Sequence, residues 1–483
     1  MECKIFEEHA SALAHWWSLP KRGQTLICFD THLDLQSISQ DRLDRLAQAD
    51  SASGIAQLAK PHHLCPDAGY SYGIEDFLFA ASELGLIDRL IWVAPPHIDT
   101  HSASEAIDQL RQLDGVTTKD LLGLRRITAG TQQWIEGRVL GLDLTICSLE
   151  ELACLDLPDE CLVDIDIDYF VAVPETRLTS TPDDVFAALF QRNIDYEMIT
   201  VSRSVRSGFT PLRYRFLAEQ TQALVQSDQR ATAHYHVLID ADEKMNRGDI
   251  TGASEQLLSE LAEWNDCPAT HFAISLVDQD AKLAASHRER AALICPEYDD
   301  DPLREASLQA GRFQQFAESD VRLLVDQIER EPISKQHAAL THAAIGLLWC
   351  ELGDVANAVQ HYQATTQHFT QGHPELGLEL GKLLLDADLL SQAISYFNAA
   401  LLDNKTQTAA MLYMSICHFK AGRFQEAQSL LTEANRNAPA WADPIILLAN
   451  VMAAWGDTDA AAAHAAHHAQ LEQLFAESSL LLA

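Results

Sequence analysis

Two short acidic stretches carry the residue types that are best able to do chemistry. In CLVDIDIDYF, residues 161–170, three aspartates alternate with isoleucines in a run that is otherwise typical of a buried strand. These are Asp164, Asp166 and Asp168, and because strand side chains alternate between faces, all three should share one face. Carboxylates crowded on an apolar face repel each other and are costly to desolvate, so the stretch predicts a cation beside the strand.

The second stretch, LICFDTHLDL, ends another predicted strand with Asp30, His32 and Asp34. Ligands of open α/β sheets gather at the carboxyl ends of strands, which is where both stretches lie. Without cations, such a set of carboxylates would raise several pKa values and destabilise the fold. Alone, either stretch is also explained by aspartates of a turn or a helix cap, but the two together favour a metal site. Oxygen ligands with one or two imidazoles favour Mn²⁺, with Mg²⁺ or Fe²⁺ as alternatives, over zinc.

The elements that must position these residues alternate between strand and helix up to about residue 228. Predicted strands cover 25–29, 89–96, 138–147, 161–170 and 197–204, and predicted helices cover 73–85 and 184–194. This alternation predicts a three-layer α/β domain whose mostly parallel sheet is covered on both faces.

From about residue 230 the sequence is rich in Ala and Leu and contains a repeat. The repeat is marked by alanines at spacings of 35, 34 and 34 residues: Ala358, Ala393, Ala427 and Ala461. Gly346 and Gly381 each stand twelve residues before their alanine. A helix-turn-helix period of this length resembles the tetratricopeptide repeat, in which small residues let two helices approach closely. An earlier unit at 247–253 is predicted to be a degenerate repeat.

We therefore divide the chain into an α/β domain (1–228), a helical region with degenerate repeats (229–335) and an all-α tetratricopeptide-like solenoid (336–483). Such a solenoid presents a concave surface to peptides or proteins, so the predicted partner is a polypeptide. A dimerisation module or a purely stabilising appendage is the alternative, and the oligomeric state stays open.

Charge and composition narrow the classes of partner. The formal charge of −36 disfavours nucleic acid and anionic membranes and suits a cationic ligand, although ordinary acidic solubility explains it equally well. Ten scattered cysteines without a CxxC pair predict reduced thiols. We expect a cytoplasmic protein, because no signal peptide and no run of about 18 apolar residues is evident.

Four motifs occur in an order that resembles the ureohydrolases, the superfamily of arginase and agmatinase. They are FEEHASAL (6–13), FDTHLDL (29–35), GIEDFLFAASELGLIDRLIWVAPP (73–96) and LVDIDIDYF (162–170). The resemblance covers about residues 1–225 and is closest to a divergent branch that includes peptide arginases. It implies an arginase-like fold, two Mn²⁺ ions bridged by a hydroxide, and conversion of arginine side chains in a peptide or protein to ornithine and urea.

The resemblance also implies roles for individual residues. The implied metal ligands are His9, Asp30, His32, Asp34, Asp166 and Asp168, with Asp164 in a supporting position. A register shifted by two residues, which makes Asp164 and Asp166 the ligands, is the alternative.

The implied reaction needs a proton for the leaving amine. His62 and His63 are candidates for delivering it, and two exposed loop histidines are the alternative reading. Glu75 and Ser71 are candidates for contacting the guanidinium or the peptide, although Glu75 could be an ordinary acid in the first turn of a helix.

One departure from the arginase pattern concerns the substrate. Arginases hold the guanidinium with a glutamate in a late strand, whereas the corresponding segment here (199–211) places Ser202 near that position and Arg203 beside it. Arg203 must therefore point away from the pocket, or the substrate is not arginine. The alternatives to a peptide arginase are a non-catalytic repeat scaffold with a structural metal site and a metal-dependent amide hydrolase such as a deacetylase.

Overall fold

The structure, a computed structural model, describes residues 2–98, 110–172, 176–192, 194–311, 316–330 and 334–482. The first part of the chain builds one large sheet, and the second part is all helical.

The sheet has eight strands, six of which are parallel neighbours. Its strands are β1 (Glu2–Phe6), β2 (Gln24–Phe29), β3 (Ile87–Val93), β4 (Arg125–Ala129), β5 (Gln132–Val139), β6 (Leu142–Cys147), β7 (Glu160–Asp166) and β10 (Asp195–Ser202). The short strands β8 (Val171–Ala172) and β9 (Arg177–Leu178) pair separately. The order is β1-β10-β7-β2-β3-β6-β5-β4, with β4 and β5 antiparallel at one edge. The sheet is therefore mostly parallel, as the sequence predicts.

Both faces of the sheet are buried. In β2, Leu26 and Cys28 belong to one apolar cluster, whereas Ile27 and Phe29 belong to another on the opposite face. The helices of this part are α1 (Ser11–Trp17), α2 (Gln40–Ala47), α3 (Ala52–Gln57), α4 (Phe77–Glu83), α5 (Thr118–Gly123), α6 (Leu149–Leu152), α7 (Pro182–Phe190) and α8 (Leu217–Gln226). Helices α1 and α4 cover the first face, and α7 and α8 cover the second.

Two predicted strands differ from the observed ones. The segment 138–147 is not one strand, because it turns at Leu140 and Gly141, which have φ of 51° and 82°. Two successive left-handed residues form a tight hairpin turn, and so β5 and β6 pair antiparallel. The segment 161–170 is a strand only as far as Asp166, after which Ile167–Phe170 forms a 3₁₀ turn.

The second part of the chain is a succession of helical pairs. They are α9 (Gln229–Asn246), α10 (Ile250–Leu261), α11 (Pro268–Val277), α12 (Ala281–Ile294), α13 (Pro302–Gly311), α14 (Glu318–Arg330), α15 (Lys335–Glu351), α16 (Val355–Thr365), α17 (Pro374–Asp386), α18 (Leu390–Ala400), α19 (Asn404–Lys420), α20 (Phe424–Asn437), α21 (Asp443–Trp455) and α22 (Thr458–Leu482). Single 3₁₀ turns cover Leu212–Tyr214 and Pro296–Tyr298.

The repeat period is visible in the helix positions. The second helices of four successive pairs begin at Val355, Leu390, Phe424 and Thr458, at spacings of 35, 34 and 34 residues. Three of the marker alanines are fully buried, whereas Ala461 in the last pair is only partly buried.

The helical part packs against the part that contains the sheet. Leu217 before residue 228 and Leu238 after it belong to the same apolar cluster. Leu471 and Phe475 of α22 belong to the cluster on the other face of the sheet. The proposed domain boundaries stay predictions. None of the helices in the described ranges is long and apolar enough to cross a membrane.

Gly381 in α17 tests the close helix packing within a repeat. A Cβ at this position would overlap the ring of Phe397 in α18. We expect Gly381→Ala to lower the free energy of unfolding by about 1–3 kcal/mol, the usual cost of overpacking a core. Chemical denaturation of the purified variant measures this change.

Gly123→Ala in α5 is the matched control, because a Cβ there meets nothing within 4 Å. Equal stability of the two variants would contradict the packing that the structure gives to the repeat.

Candidate metal centre

The acidic residues converge at the carboxyl edge of the sheet. The adjacent strands β10, β7 and β2 all end at this edge, and β1 ends beside them. A parallel sheet brings these ends together whatever their separation along the chain. Residues from four different segments of the sequence therefore share one site.

His9 lies at the centre of this site, in the turn between β1 and α1. Its Nδ1 atom is 3.3 Å from Asp30 Oδ2, 3.2 Å from Asp34 Oδ2 and 3.2 Å from Asp166 Oδ2. The side chain is 1% exposed. The segment that carries His9 precedes the helix, so the residue is not on a solvent-exposed helical face.

Asp164 holds His9 from the opposite side. Its Oδ2 atom is 2.5 Å from His9 Nε2, and its Oδ1 accepts a hydrogen bond of 2.5 Å from the Thr200 hydroxyl. With Nε2–H donated to Asp164, the Nδ1 lone pair of His9 faces the other carboxylates. This is the arrangement in which a carboxylate orients a metal-binding histidine. Because both oxygens of Asp164 are already engaged, the geometry favours a supporting position for it, and the assignment of ligands stays a prediction.

Asp166 and Asp168 are held by neighbours that leave them facing the site. Asp166 Oδ2 accepts a 2.7 Å hydrogen bond from the Ser204 hydroxyl. Asp168 Oδ2 is 3.1 Å from His32 Nδ1, and its Oδ1 accepts from the Thr31 backbone at 3.3 Å. Asp168 reaches the site from the 3₁₀ turn, where the strand alternation that predicted it no longer applies.

The charges show that the protein alone stabilises this cluster poorly. Burial, together with Asp34 and Asp168, raises the pKa of Asp30 well above its usual range. Burial and Asp168 raise the pKa of Asp166 to about 6. Burial would lower the pKa of His9, but the carboxylates of Asp164 and Asp166 outweigh it and raise that pKa.

The donor atoms fit divalent cations. His9 Nδ1 and Asp30 Oδ2 are buried and lack a hydrogen bond within the described chain. Three sets of donor atoms lie within 4.8 Å of one another: His9–Asp30–Asp166, Asp30–His32–Asp168 and His9–Cys28–Asp164. The first two sets share Asp30. Hard oxygen donors with imidazole suit Mn²⁺ or Fe²⁺.

A cavity of about 190 Å³ opens onto these residues. Besides members of the acidic cluster, its wall is formed by His63, Ile74, Glu75, Ser204, Phe209 and Lys405. His63 stands 5.3 Å from the ring of Phe209, measured between ring centroids. The cavity gives a small substrate group a place directly beside the candidate ligands.

The two loop histidines differ in their surroundings. His62 is buried, stacks on His63 with a centroid distance of 4.4 Å, and is not in the cavity wall. The reading of both as exposed loop histidines is therefore wrong for His62. Burial, reinforced by Lys405, lowers the pKa of His63 to about 3, so its imidazole is neutral at pH 7.

Glu75 lies in the cavity wall just before α4, so it is not in the first turn of that helix. Its Oε1 accepts a 2.9 Å hydrogen bond from Lys60, whereas Oε2 is buried with no hydrogen bond from the described residues. Burial would raise the pKa of Glu75, but the cations Lys60 and Lys405 outweigh it and lower that pKa to about 2. The cavity wall therefore includes an ionised carboxylate.

The two predicted substrate serines do not reach the cavity. The Ser71 hydroxyl accepts a 3.1 Å hydrogen bond from Arg45 and is buried elsewhere, and Ser202 is buried at the end of β10. Ser204, two residues further on, is in the cavity wall. Arg203 pairs with Glu219 of α8 at 2.5 Å and is also absent from that wall. The cation beside the late strand therefore points away from the site.

Lys405 is the site residue that sequence reasoning missed. It belongs to the first turn of α19 in the repeat region, and its Nζ is 3.4 Å from Glu375. The two residues before Lys405 form hydrogen bonds with the first part of the chain. Asp403 accepts one from Lys60 at 3.4 Å, and the Asn404 backbone donates one to Asp67 at 2.7 Å. Nothing local in the sequence around residue 405 marks this contact.

Matched Asp→Asn variants of Asp166 and Asp164 distinguish a metal ligand from a residue that only orients His9. We expect Asp166→Asn to lose about one equivalent of bound Mn²⁺, because it removes a charged donor from the set that includes His9 Nδ1. Asp164→Asn keeps an acceptor for His9 Nε2, so it should retain the stoichiometry with affinity weakened about ten- to a hundredfold, as for other supporting residues. Elemental analysis and titration calorimetry give both numbers, and the reverse result would shift the ligand register by two residues.

Comparisons with known proteins do not bear on the site. No family model matches the chain, and no curated protein matches it. Solved structures that match include PilW, described as a type IV pilus biogenesis factor, at 15% identity over 45% of this chain and 98% of that chain, with a TM-score of 0.28. A tetratricopeptide repeat protein from Parabacteroides merdae is 12% identical over 52% and 99% of the chains, with a TM-score of 0.26. The human IFIT1 dimer is 11% identical over 62% and 75%, with a TM-score of 0.30. At TM-scores this low the likeness carries no argument, and the fold and the site rest on the chain's own residues.

Proposed function

We propose that the chain is a Mn²⁺-dependent amidinohydrolase that converts arginine side chains of a polypeptide to ornithine and urea. The observation that carries the proposal is the convergence of three carboxylates on His9 Nδ1, with Asp30 shared between two sets of donor atoms. The order of the four sequence motifs supports the choice of reaction.

The residues of the chain hold the reacting groups in place. Bound Mn²⁺ would supply the Lewis acidity that makes water a nucleophile near neutral pH. Asp164 fixes the tautomer of His9, and Ser204 and the Thr31 backbone fix Asp166 and Asp168. Ligands that are held in this way need little rearrangement during the reaction, which is the main source of electrostatic catalysis.

The guanidinium is assigned to Glu75. A guanidinium N–H donates well to a carboxylate, and the Glu75 carboxylate belongs to the cavity wall, with no hydrogen bond to its Oε2 from the described residues. Glu75 thus replaces the strand glutamate that this sequence lacks. The cavity of about 190 Å³ is smaller than the roughly 300–1,000 Å³ typical of drug-sized ligands, so it suits the end of one side chain.

His63 is assigned to the leaving amine. It lies in the cavity wall, and its Nδ1 is buried with no hydrogen bond from the described chain. A neutral imidazole can accept a proton on one nitrogen while it donates from the other, so it can relay a proton without being charged beforehand.

A polypeptide substrate is favoured by the position of the repeats. Lys405 of α19 completes the cavity wall. A groove of about 500 Å³ reaches the neighbouring residue Asn404 and is lined also by Arg45 of α2, by the loop that contains Asp67 and by Pro374 of α17. A chain laid along this groove would pass close to the cavity. The net charge of −36 adds attraction for a cationic segment.

The proposal is tested by mass spectrometry of an arginine-containing peptide library incubated with Mn²⁺-loaded protein. We expect arginine to lose the mass of CH₂N₂, with urea released, and Asp166→Asn to be inactive. If the loaded protein binds two equivalents of metal and leaves every peptide unchanged, the metal site is structural and the chain is a scaffold. Removal of acyl groups from acylated lysine instead would make the protein a deacetylase.

Glu75→Gln tests the recognition of the guanidinium. The substitution removes the charge but keeps the shape, and Lys60 keeps Asp67 at 2.6 Å as a partner. We expect KM for an arginine peptide to rise about ten- to a hundredfold, which corresponds to a charged hydrogen bond of about 1.5–3 kcal/mol, with metal content unchanged. Glu83→Gln, at an exposed position in α4, is the control. Unchanged KM in the Glu75 variant would exclude Glu75 as the guanidinium contact.

A further inference from the structure

A second cluster of reactive groups, which shares no residue with the candidate metal centre, lies among the helices that follow the sheet. His234 of α9 stands between two partners, with Nδ1 2.6 Å from Glu260 Oε1 of α10 and Nε2 3.2 Å from the Cys267 sulfur. Cys267 directly precedes α11. An acid, an imidazole and a thiol in series form the arrangement that activates a cysteine nucleophile.

The imidazole is held rigidly in this arrangement. His234 is fully buried and stacks on Trp264 with ring centroids 4.4 Å apart and an interplanar angle of 20°. The Glu260 carboxylate accepts from Nδ1, which leaves Nε2 directed at the thiol. The Thr270 hydroxyl, 3.3 Å from Nε2, adds a second polar group beside the sulfur.

The position of Cys267 favours its thiolate form. The residue is the N-cap of α11, a helix of ten residues whose amino-terminal N–H groups favour negative charge. Burial would raise the pKa of this thiol, but His234 and Thr270 outweigh it and lower that pKa. In the other cysteines whose pKa shifts, burial dominates and raises the pKa.

The exposure of residue Cys267 also differs from that of the enclosed cysteines. Cys267 is partly exposed, in contrast to the fully enclosed thiols of Cys28, Cys147 and Cys161. The neighbouring His234 and Thr270 are buried. These surroundings suit a compact oxidant better than a polypeptide.

We propose that Cys267 is an activated thiolate and a site of oxidation by hydroperoxides. The sulfur attacks one peroxide oxygen, so that an S–O bond forms and the O–O bond breaks. The sulfur is oxidised by two electrons and the peroxide is reduced. The leaving oxygen takes the proton from His234 Nε2, which gives water from hydrogen peroxide and a sulfenic acid on Cys267. This site is independent of the proposed hydrolase.

The test is peptide-mapping mass spectrometry of the folded full chain treated with limiting hydrogen peroxide and a sulfenic-acid trap such as dimedone. The exposed Cys154 is an internal control. We expect Cys267 to be labelled at least about tenfold faster than Cys154, because low-pKa thiolates react selectively. Labelling of Cys267 at or below the rate of Cys154 would overturn the proposal.

A second measurement separates activation from mere accessibility. His234→Gln should reduce labelling of Cys267 to the level of Cys154, and Glu260→Gln should reduce it partially. If either variant fails to fold, the pH dependence of iodoacetamide alkylation in the unmodified protein decides. Alkylation of Cys267 should reach its plateau at a lower pH than that of Cys154, and coincident profiles would refute an activated thiolate.

Discussion

Mutual repulsion among buried carboxylates is the constraint on which the rest of this structure depends. Asp30, Asp34 and Asp166 all lie within 3.3 Å of one imidazole nitrogen, in a setting with little water to screen them. Parallel strands make this crowding unavoidable, because their carboxyl ends meet at one edge. Hydroxyl and backbone groups, such as the hydroxyls of Thr200 and Ser204, donate hydrogen bonds that stabilise part of the negative charge. Bound cations would balance the rest of that charge.

The sequence carried enough information for the sheet and for most of the centre. The alternation of apolar and acidic residues in β7 and the two-sided burial of β2 follow from strand periodicity, and the repeat period follows from the alanine spacing. The hydrophobic pattern did not predict secondary structure correctly where the backbone conformation changes from one residue to the next. The turn at Leu140 and Gly141 interrupts a continuous apolar run, and the 3₁₀ turn after Asp166 has no distinct composition.

Contacts between residues far apart in the sequence could not be predicted, for a different reason. Glu75 resembles a helix acid in sequence, and only the position of Lys60 shows that one of its oxygens is free. Lys405 belongs to a repeat whose pattern describes helix packing and says nothing about what its first turn touches. The sequence predicted Ser202 as the substrate-contacting residue of the late strand, whereas Ser204, two residues later, is in the cavity wall. Contacts between distant segments depend on the whole fold and produce no periodic pattern in the sequence.

The ion pairs of Lys60 have a consequence for the order in which the protein is made. Lys60 is almost fully buried and finds one of its carboxylates, Asp403, 343 residues later in the chain. On the ribosome, the candidate metal ligands are therefore all synthesised, and able to converge, long before Asp403 and Lys405 emerge. Lys405 is the last residue of the cavity wall in chain order, so the direction of translation places completion of that wall after the synthesis of every candidate ligand.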